Sequence, residues 1–361
     1  MTGTMTRMMR SAIFYGGKEI RVEDRPVPEL HADEVLVRIR AAGICGADLL
    51  GYHSSGPWQP PAGVGIEEGH ELAGEVVDFG SQVHGLEVGQ RVAVRPEHLI
   101  ACGSCRECNL GMPHLCSRLG LLHGAPHASH GFSEYDAVLA SHVHPIPASL
   151  SFDAAAIADC FGVAVHAIHR AGGVEGQTVA VIGSGTIGLC VGQAARALGA
   201  ARVLMIGDKR NALQVALRTH AADHIVYAPD HDVAAAVATL TDDAGPTIVF
   251  EAVGRSETTL DQALRLVARG GKICILGTFT ISPAFSPHLA YAKEASLLWS
   301  NSYGLHGTTS EFDETLELMA AGYLDAEGLI THRFPLERIA EAFAVCDNKA
   351  RTHGIKVLVT S

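Results

Sequence analysis

The 361-residue chain lacks any surplus of positive charge. It has 39 acidic residues against 27 lysines and arginines, a formal net charge of −12. Such a surface repels nucleic-acid phosphates and anionic membranes, so neither is an expected partner. No apolar run reaches the roughly 18 residues needed to cross a bilayer. The N-terminal stretch MTGTMTRMMRSA carries basic residues without the apolar segment of a secretory signal. A cytoplasmic protein is expected, and there the nine cysteines are not expected to pair as disulfides. Internal repeats and low-complexity linkers are also missing. What is present, 47% hydrophobic and 18% charged residues, suits a globular chain with a sizeable core. The length suits roughly two domains.

The first 160 or so residues read as β-rich. EVLVRIR (34–40), ELAGEVVDF (71–79) and RVAVR (91–95) alternate apolar and polar positions or carry strand-type residues, with glycine and proline between them. DAAAIADCFGVAVHAIH (153–169) reads as a helix, with an acid near its start. From Thr178 the pattern changes. Short apolar runs at 178–182, 202–206, 224–227, 247–251 and 272–276 alternate with helix-length segments, and 296–299 offers a sixth. Continuous apolar strands are those buried on both faces of a parallel sheet, and the alternation predicts a doubly wound α/β fold. A helix at 312–321 and a strand at 355–359 follow.

VAVIGSGTIG places Gly183, Gly185 and Gly188 in G-x-G-x-x-G between a strand and a helix. The first glycine permits a tight turn, the second a close approach of backbone to pyrophosphate, and the third close helix–strand packing. The amides around Thr186 and Ile187 then face the phosphates at the helix N-terminus. Asp208 ends the next strand about 20 residues on, where an acid bonds the ribose hydroxyls. A carboxylate there favours NAD, while Lys209 and Arg210 beside it could soften the preference.

Cys102-x2-Cys105-x2-Cys108-x7-Cys116 offers four thiolates in one loop. Four thiolates suit a closed, structural zinc site. Iron–sulfur ligation is the alternative, although the proline that follows the last cysteine in bacterial ferredoxins is missing.

Together the glycine fingerprint and the cysteine lobe resemble the zinc-containing medium-chain dehydrogenases of alcohols, sorbitol and threonine. GICGADL (43–49) looks like the family's catalytic-zinc cysteine motif, EGHELAGEVV (68–77) like its Gly-His-Glu motif, and RFPLERIAEAF (333–343) like its C-terminal signature. The resemblance implies a split GroES-like catalytic domain, 1–162 and 300–361, enclosing a Rossmann NAD-binding domain, 163–299. It implies two zinc ions per chain, one structural and one catalytic, and a homodimer or homotetramer. It makes Cys45, His70 and Asp159 ligands of the catalytic zinc, with Glu71 joining them or exchanging with water. Cys160 competes with Asp159 but points about 100° away on a helix. Asp48 is expected to orient His70. A zinc with an open position would polarise the oxygen of an alcohol while hydride passes to the nicotinamide.

The family's usual proton relay is absent, since Ala47 and Leu50 hold its positions. His53, or Glu71 with a water, is the candidate replacement. The missing relay supports an alternative, an NADPH-dependent carbonyl, imine or alkene reductase of the same fold. A non-catalytic zinc- and NAD-binding protein is a third reading, opposed by the presence of Cys45, His70, Glu71 and Asp159. Trp58 and Phe161 are expected to line the substrate pocket as apolar walls, with Tyr52, His53 and Asn301 as hydrogen-bonding groups. That mixture suits a small-molecule secondary alcohol, ketone or polyol.

Overall fold

The computed structural model describes residues 7–53, 65–122, 125–126 and 129–361. Trp58 lies outside the described residues. The chain divides into two units, residues 1–159 with 330–361, and residues 160–329.

The first unit is built around the strand Glu34–Gly43. Glu71–Phe79 runs antiparallel along one of its edges. The other edge is shared, Tyr135–Leu139 pairing its first half and Lys356–Thr360 its last residues. Arg91–Val94 extends the sheet beyond Glu71–Phe79, and Ile330–Pro335 lies parallel to Lys356–Thr360. The C-terminal strand therefore completes the sheet that the first 160 residues begin. A second sheet pairs Met8–Gly16 with Glu19–Pro26. Val35, Val37, Ile39, Leu72, Val92, Phe132, Phe343 and Val357 fill the core beneath these strands. These strands are buried at most positions, Arg38 being the one exposed residue of Glu34–Gly43.

The second unit carries a six-stranded sheet, parallel throughout. Its order runs His224–Tyr227, Arg202–Gly207, Thr178–Ile182, Ile248–Glu251, Lys272–Ile275, Ser296–Trp299. This is the 3-2-1-4-5-6 order of a dinucleotide-binding fold, whose ligands bind where the order reverses, at the carboxyl ends of the strands. Ala180, Leu204, Val249 and Ile273 are fully buried under flanking helices, which is why these runs are continuously apolar.

Three details differ from the sequence reading. The helix expected over 153–169 is two helices, Phe152–Ala156 and Ala158–Arg170. Ser151 caps the first, its hydroxyl accepting from the Ala154 amide. Residues 300–329, expected with the first unit, belong to the second. They are tied there by polar bonds, Glu311 to His166 and His169, and the Asp325 backbone to the Gln193 side chain. The pairing of Met8–Gly16 with Glu19–Pro26 was not foreseen, although Glu19–Glu23 alternates polar and apolar residues and its burial alternates with them. No helix among the described residues is long and apolar enough to cross a membrane.

Candidate active site and metal centres

The register of the first sheet builds one cluster. Gly43 pairs with Glu71 on one side and with Leu358 on the other, which sets Lys356 close to Glu71. A side chain at Gly43 would collide with the Glu71 carboxylate and with the Lys356 stem. Two residues on, the Cys45 amide donates to Asp48 Oδ2 at 2.7 Å, and Asp48 opens the short helix Asp48–Tyr52. Asp48 Oδ1 lies 3.4 Å from His70 Nδ1, with the carboxylate almost wholly buried. One acid thus steers both the cysteine and the histidine, leaving the far nitrogen of the imidazole for another partner.

Ligand atoms of Cys45, His70 and Glu71 all lie within 4.8 Å of one another. Thiolate, imidazole and carboxylate are the donors zinc accepts. Burial by itself lowers the His70 pKa, but the charges of Asp48 and Cys45 outweigh it and leave it raised. Such a set of anions around one imidazole is suited to a bound cation. Asp159, the second residue of the helix Ala158–Arg170, is half-buried and falls outside the converging set; Cys160 beside it is buried.

His53 lies elsewhere in its contacts, its Nε2 2.6 Å from Asp347 Oδ1 beside Lys18. Tyr52 packs its ring against Phe343 at 5.2 Å within the apolar core, and Phe161 is fully buried. Asn301 is exposed.

Sequence reasoning missed two residues of this neighbourhood. Lys356 pairs with Glu71, and a lone lysine inside the apolar strand KVLVT was the available signal. Glu68 is half-buried, and burial followed by the Asp48 charge pushes its carboxyl up to about 7, against the pull of His70 and His130. Nothing in the sequence pattern marks it. The His98 ring also meets His70 edge-on, 5.3 Å between centroids.

The cysteine lobe forms a second cluster. Its Sγ–Sγ separations are 3.4 Å for Cys105–Cys108, 3.8 Å for Cys105–Cys116 and 3.9 Å for Cys102–Cys108. A tetrahedron with sulfur about 2.3 Å from zinc needs sulfurs roughly 3.8 Å apart, whereas a disulfide needs about 2 Å. Backbone amides point at the sulfurs: Cys105 N–H donates to Cys102, and the amides of Cys102 and Arg118 donate to Cys116, each at 3.3 Å. Hydrogen bonding at Ser104 leads the causes that hold the Cys102 thiol down to about 5. The four sulfurs make a donor set that could hold a metal ion, although burial pushes the Cys108 thiol up to about 12.

In the second unit Gly183 adopts φ +107°, a conformation costly for other residues, and any Cβ at Gly188 would strike the Gly183 carbonyl. Gly185, exposed at the N-cap of Thr186–Ala197, has open space where a Cβ would sit. That opening at a twelve-residue helix N-terminus fits a pyrophosphate. Asp208 follows the strand Arg202–Gly207 with its side chain 71% exposed and Lys209 Nζ 3.3 Å away. Arg210 is drawn off to Asp230 and lies over the Tyr227 ring at 4.0 Å.

Residues 31–148 match the Alcohol dehydrogenase GroES-like domain family and residues 186–321 the Zinc-binding dehydrogenase family. The chain is 33% identical to a sorbitol dehydrogenase of Bacillus subtilis strain 168, over 95% of this chain and 94% of that one. The chain belongs to the zinc-type medium-chain alcohol and polyol dehydrogenases. It is an NAD(P)-linked oxidoreductase of small alcohols. Among solved structures, a Sinorhizobium meliloti 1021 protein bound to NADP superposes with a TM-score of 0.87 at 29% identity, covering 98% of this chain and all of the other. An alcohol dehydrogenase of Escherichia coli CFT073 complexed with NADH gives 0.86 at 26% identity, covering 98% and 99%. The fold thus accommodates either nicotinamide cofactor.

Proposed function

We propose that this dehydrogenase oxidises a secondary alcohol or polyol with NAD, reversibly, using one catalytic zinc and one structural zinc per chain. The observation that carries the reading is the convergence of Cys45, His70 and Glu71 within 4.8 Å, steered by the buried Asp48. These residues, with Asp159, would hold the catalytic ion, and Cys102, Cys105, Cys108 and Cys116 the structural one. When bound, zinc with an open position acts as a Lewis acid toward an alcohol or carbonyl oxygen. The chain's own contribution is positional: Asp48 fixes the cysteine and imidazole, and Lys356 holds the Glu71 carboxylate in place. Gly183, Gly185, Thr186, Ile187 and Gly188 would cradle the cofactor pyrophosphate, and Asp208 the adenosine ribose.

NAD is favoured over NADP because Asp208 presents a carboxylate and Arg210 is occupied by Asp230 and Tyr227. A cytoplasmic location agrees with the acidic charge and the nicotinamide chemistry. Self-association into a homodimer or homotetramer is supported by the edge strand Ser296–Trp299, whose Trp299 is 60% exposed. The deciding experiment is a panel of secondary alcohols, polyols and their ketones with each cofactor, read at the nicotinamide absorbance, beside zinc analysis. Turnover of polyols with NAD and two zincs per chain is expected. Turnover restricted to ketones, imines or alkenes with NADPH, in a protein with one zinc, would establish the reductase reading instead.

A further inference from the structure

A third cluster of ligand-type side chains lies wholly within the second unit. His169 belongs to the helix Ala158–Arg170, His306 to the strand Leu305–His306 of a short hairpin, and Glu314 to the helix Glu311–Ala320. Ligand atoms of these three lie within 4.8 Å of one another. We propose that His169, His306 and Glu314 bind a divalent transition-metal ion, in addition to the two zinc ions assigned above.

The case rests on how the neighbours are fixed. The buried Glu311 accepts from three directions: His166 Nδ1 at 2.8 Å, His169 Nδ1 at 2.9 Å and the Gly304 amide at 2.7 Å. Side chains three apart share a helix face, so His166 and His169 both reach this one carboxylate. With Nδ1 donating to Glu311, a neutral His169 carries its lone pair on Nε2. Nε2 faces Glu314 Oε1 at 3.4 Å. Two acceptors at that distance repel unless a proton or a metal cation stands between them. The His306 ring stacks on His169, 3.8 Å between centroids and 23° between planes. Burial alone would lower the His169 pKa, but the flanking carboxylates Glu311 and Glu314 leave it raised, so a metal at Nε2 takes the place of a proton there. The exposed His306 ring turns out of the stack to bring its in-plane lone pair to the same ion. A histidine that gives its other N–H to a buried carboxylate is the arrangement metal ligands use to fix tautomer and orientation. Two imidazoles and a carboxylate suit zinc, cobalt or nickel and leave positions for water. The side chains of His169 and Glu314 are 12% and 23% exposed and His306 is open to solvent, so an ion can enter. Bound there, it would fasten the hairpin to both helices.

The test is a Co²⁺ titration of the protein with its zinc retained, followed by calorimetry and visible absorption. One further equivalent per chain is expected, with d–d bands and no new thiolate-to-cobalt charge transfer, because no cysteine contributes. His306→Ala, on an exposed hairpin and so harmless to folding, should weaken binding at least about tenfold, and Glu314→Gln likewise. Co²⁺ should raise the melting temperature of the parent and not of either variant. The proposal is overturned if no further equivalent binds, if it brings a thiolate charge-transfer band, or if both variants keep the parent affinity. None of its residues belongs to the sites assigned to the dehydrogenase, so hydride transfer measured in the same samples reports on that reading separately.

Discussion

The ammonium of Lys356 rests on the carboxylate of Glu71, with side chains 2% and 0% exposed, across the backbone of Gly43. Lys356 Nζ also donates to the Ile44 carbonyl at 3.1 Å. Removing one member of a buried ion pair strands the other charge and costs about 3–5 kcal/mol. Lys356→Met should therefore lower unfolding stability by about 3 kcal/mol in metal-stripped protein. With zinc bound beside Glu71 the stranded charge is compensated, so the loss should shrink. Urea denaturation of both forms checks this, and an equal loss in both would show that Glu71 does not sense the metal.

The sulfur separations of the cysteine lobe lead to a second expectation. Cys116→Ser should remove one zinc equivalent and lower the melting temperature while hydride transfer per remaining folded chain changes little. A thiol-reactive dye should find the lobe cysteines only after a chelator is added. Cys274 and Cys346 should stay unreactive throughout, since burial pushes their thiols up to about 12 and about 11. Unchanged zinc content in the serine variant would remove the metal from this lobe.

Cofactor choice turns on Asp208. We expect NAD to be used at least about tenfold more efficiently than NADP, since a phosphate facing a carboxylate and lost ribose bonds together exceed roughly 1.4 kcal/mol. Asp208→Gly should narrow that ratio mainly by lowering the KM for NADP. Comparable kcat/KM values for both cofactors in the parent protein would mean that Lys209, which already touches Asp208, redirects the preference.

The parallel sheet was legible because buried parallel strands leave continuous apolar runs. Thr178–Ile182, His224–Tyr227 and Ser296–Trp299 fall where the pattern puts them. The cysteine and Gly-His-Glu motifs were legible because few structures need such residues at such spacing. What escaped is long-range. Lys356 lies 285 positions from Glu71, and only the pairing of Gly43 with strands on both sides brings them together. The compact units divide near residue 330 where the sequence suggests 300, and what ties residues 300–329 to the second unit includes polar bonds, Glu311 to His166 and His169 above all, which leave no hydrophobic pattern. Glu68 escaped because its perturbation comes wholly from its surroundings.

The ligand set of the catalytic ion is open to a direct mutational test at neighbouring positions. Asp159 and Cys160 are successive residues of one helix and point about 100° apart, so only one can address the site. Cys160 is 2% exposed, and its truncation should cost about 1 kcal/mol of packing and leave turnover largely intact. Asp159→Ala should lower kcat/KM by more than about 100-fold, beyond the loss seen when groups behind a ligand are removed. It should leave the cysteine-lobe zinc and NAD binding in place, because those are built from other segments. Glu71→Gln separates two ligand sets. If Glu71→Gln strips the catalytic zinc while Asp159→Ala keeps it, then Cys45, His70 and Glu71 alone hold the ion, as their convergence within 4.8 Å allows. If Asp159→Ala strips it and Glu71→Gln only slows turnover, Asp159 is the third ligand and Glu71 its exchanging neighbour. Zinc analysis of the two variants, beside Cys160→Ala, distinguishes these outcomes without relying on activity.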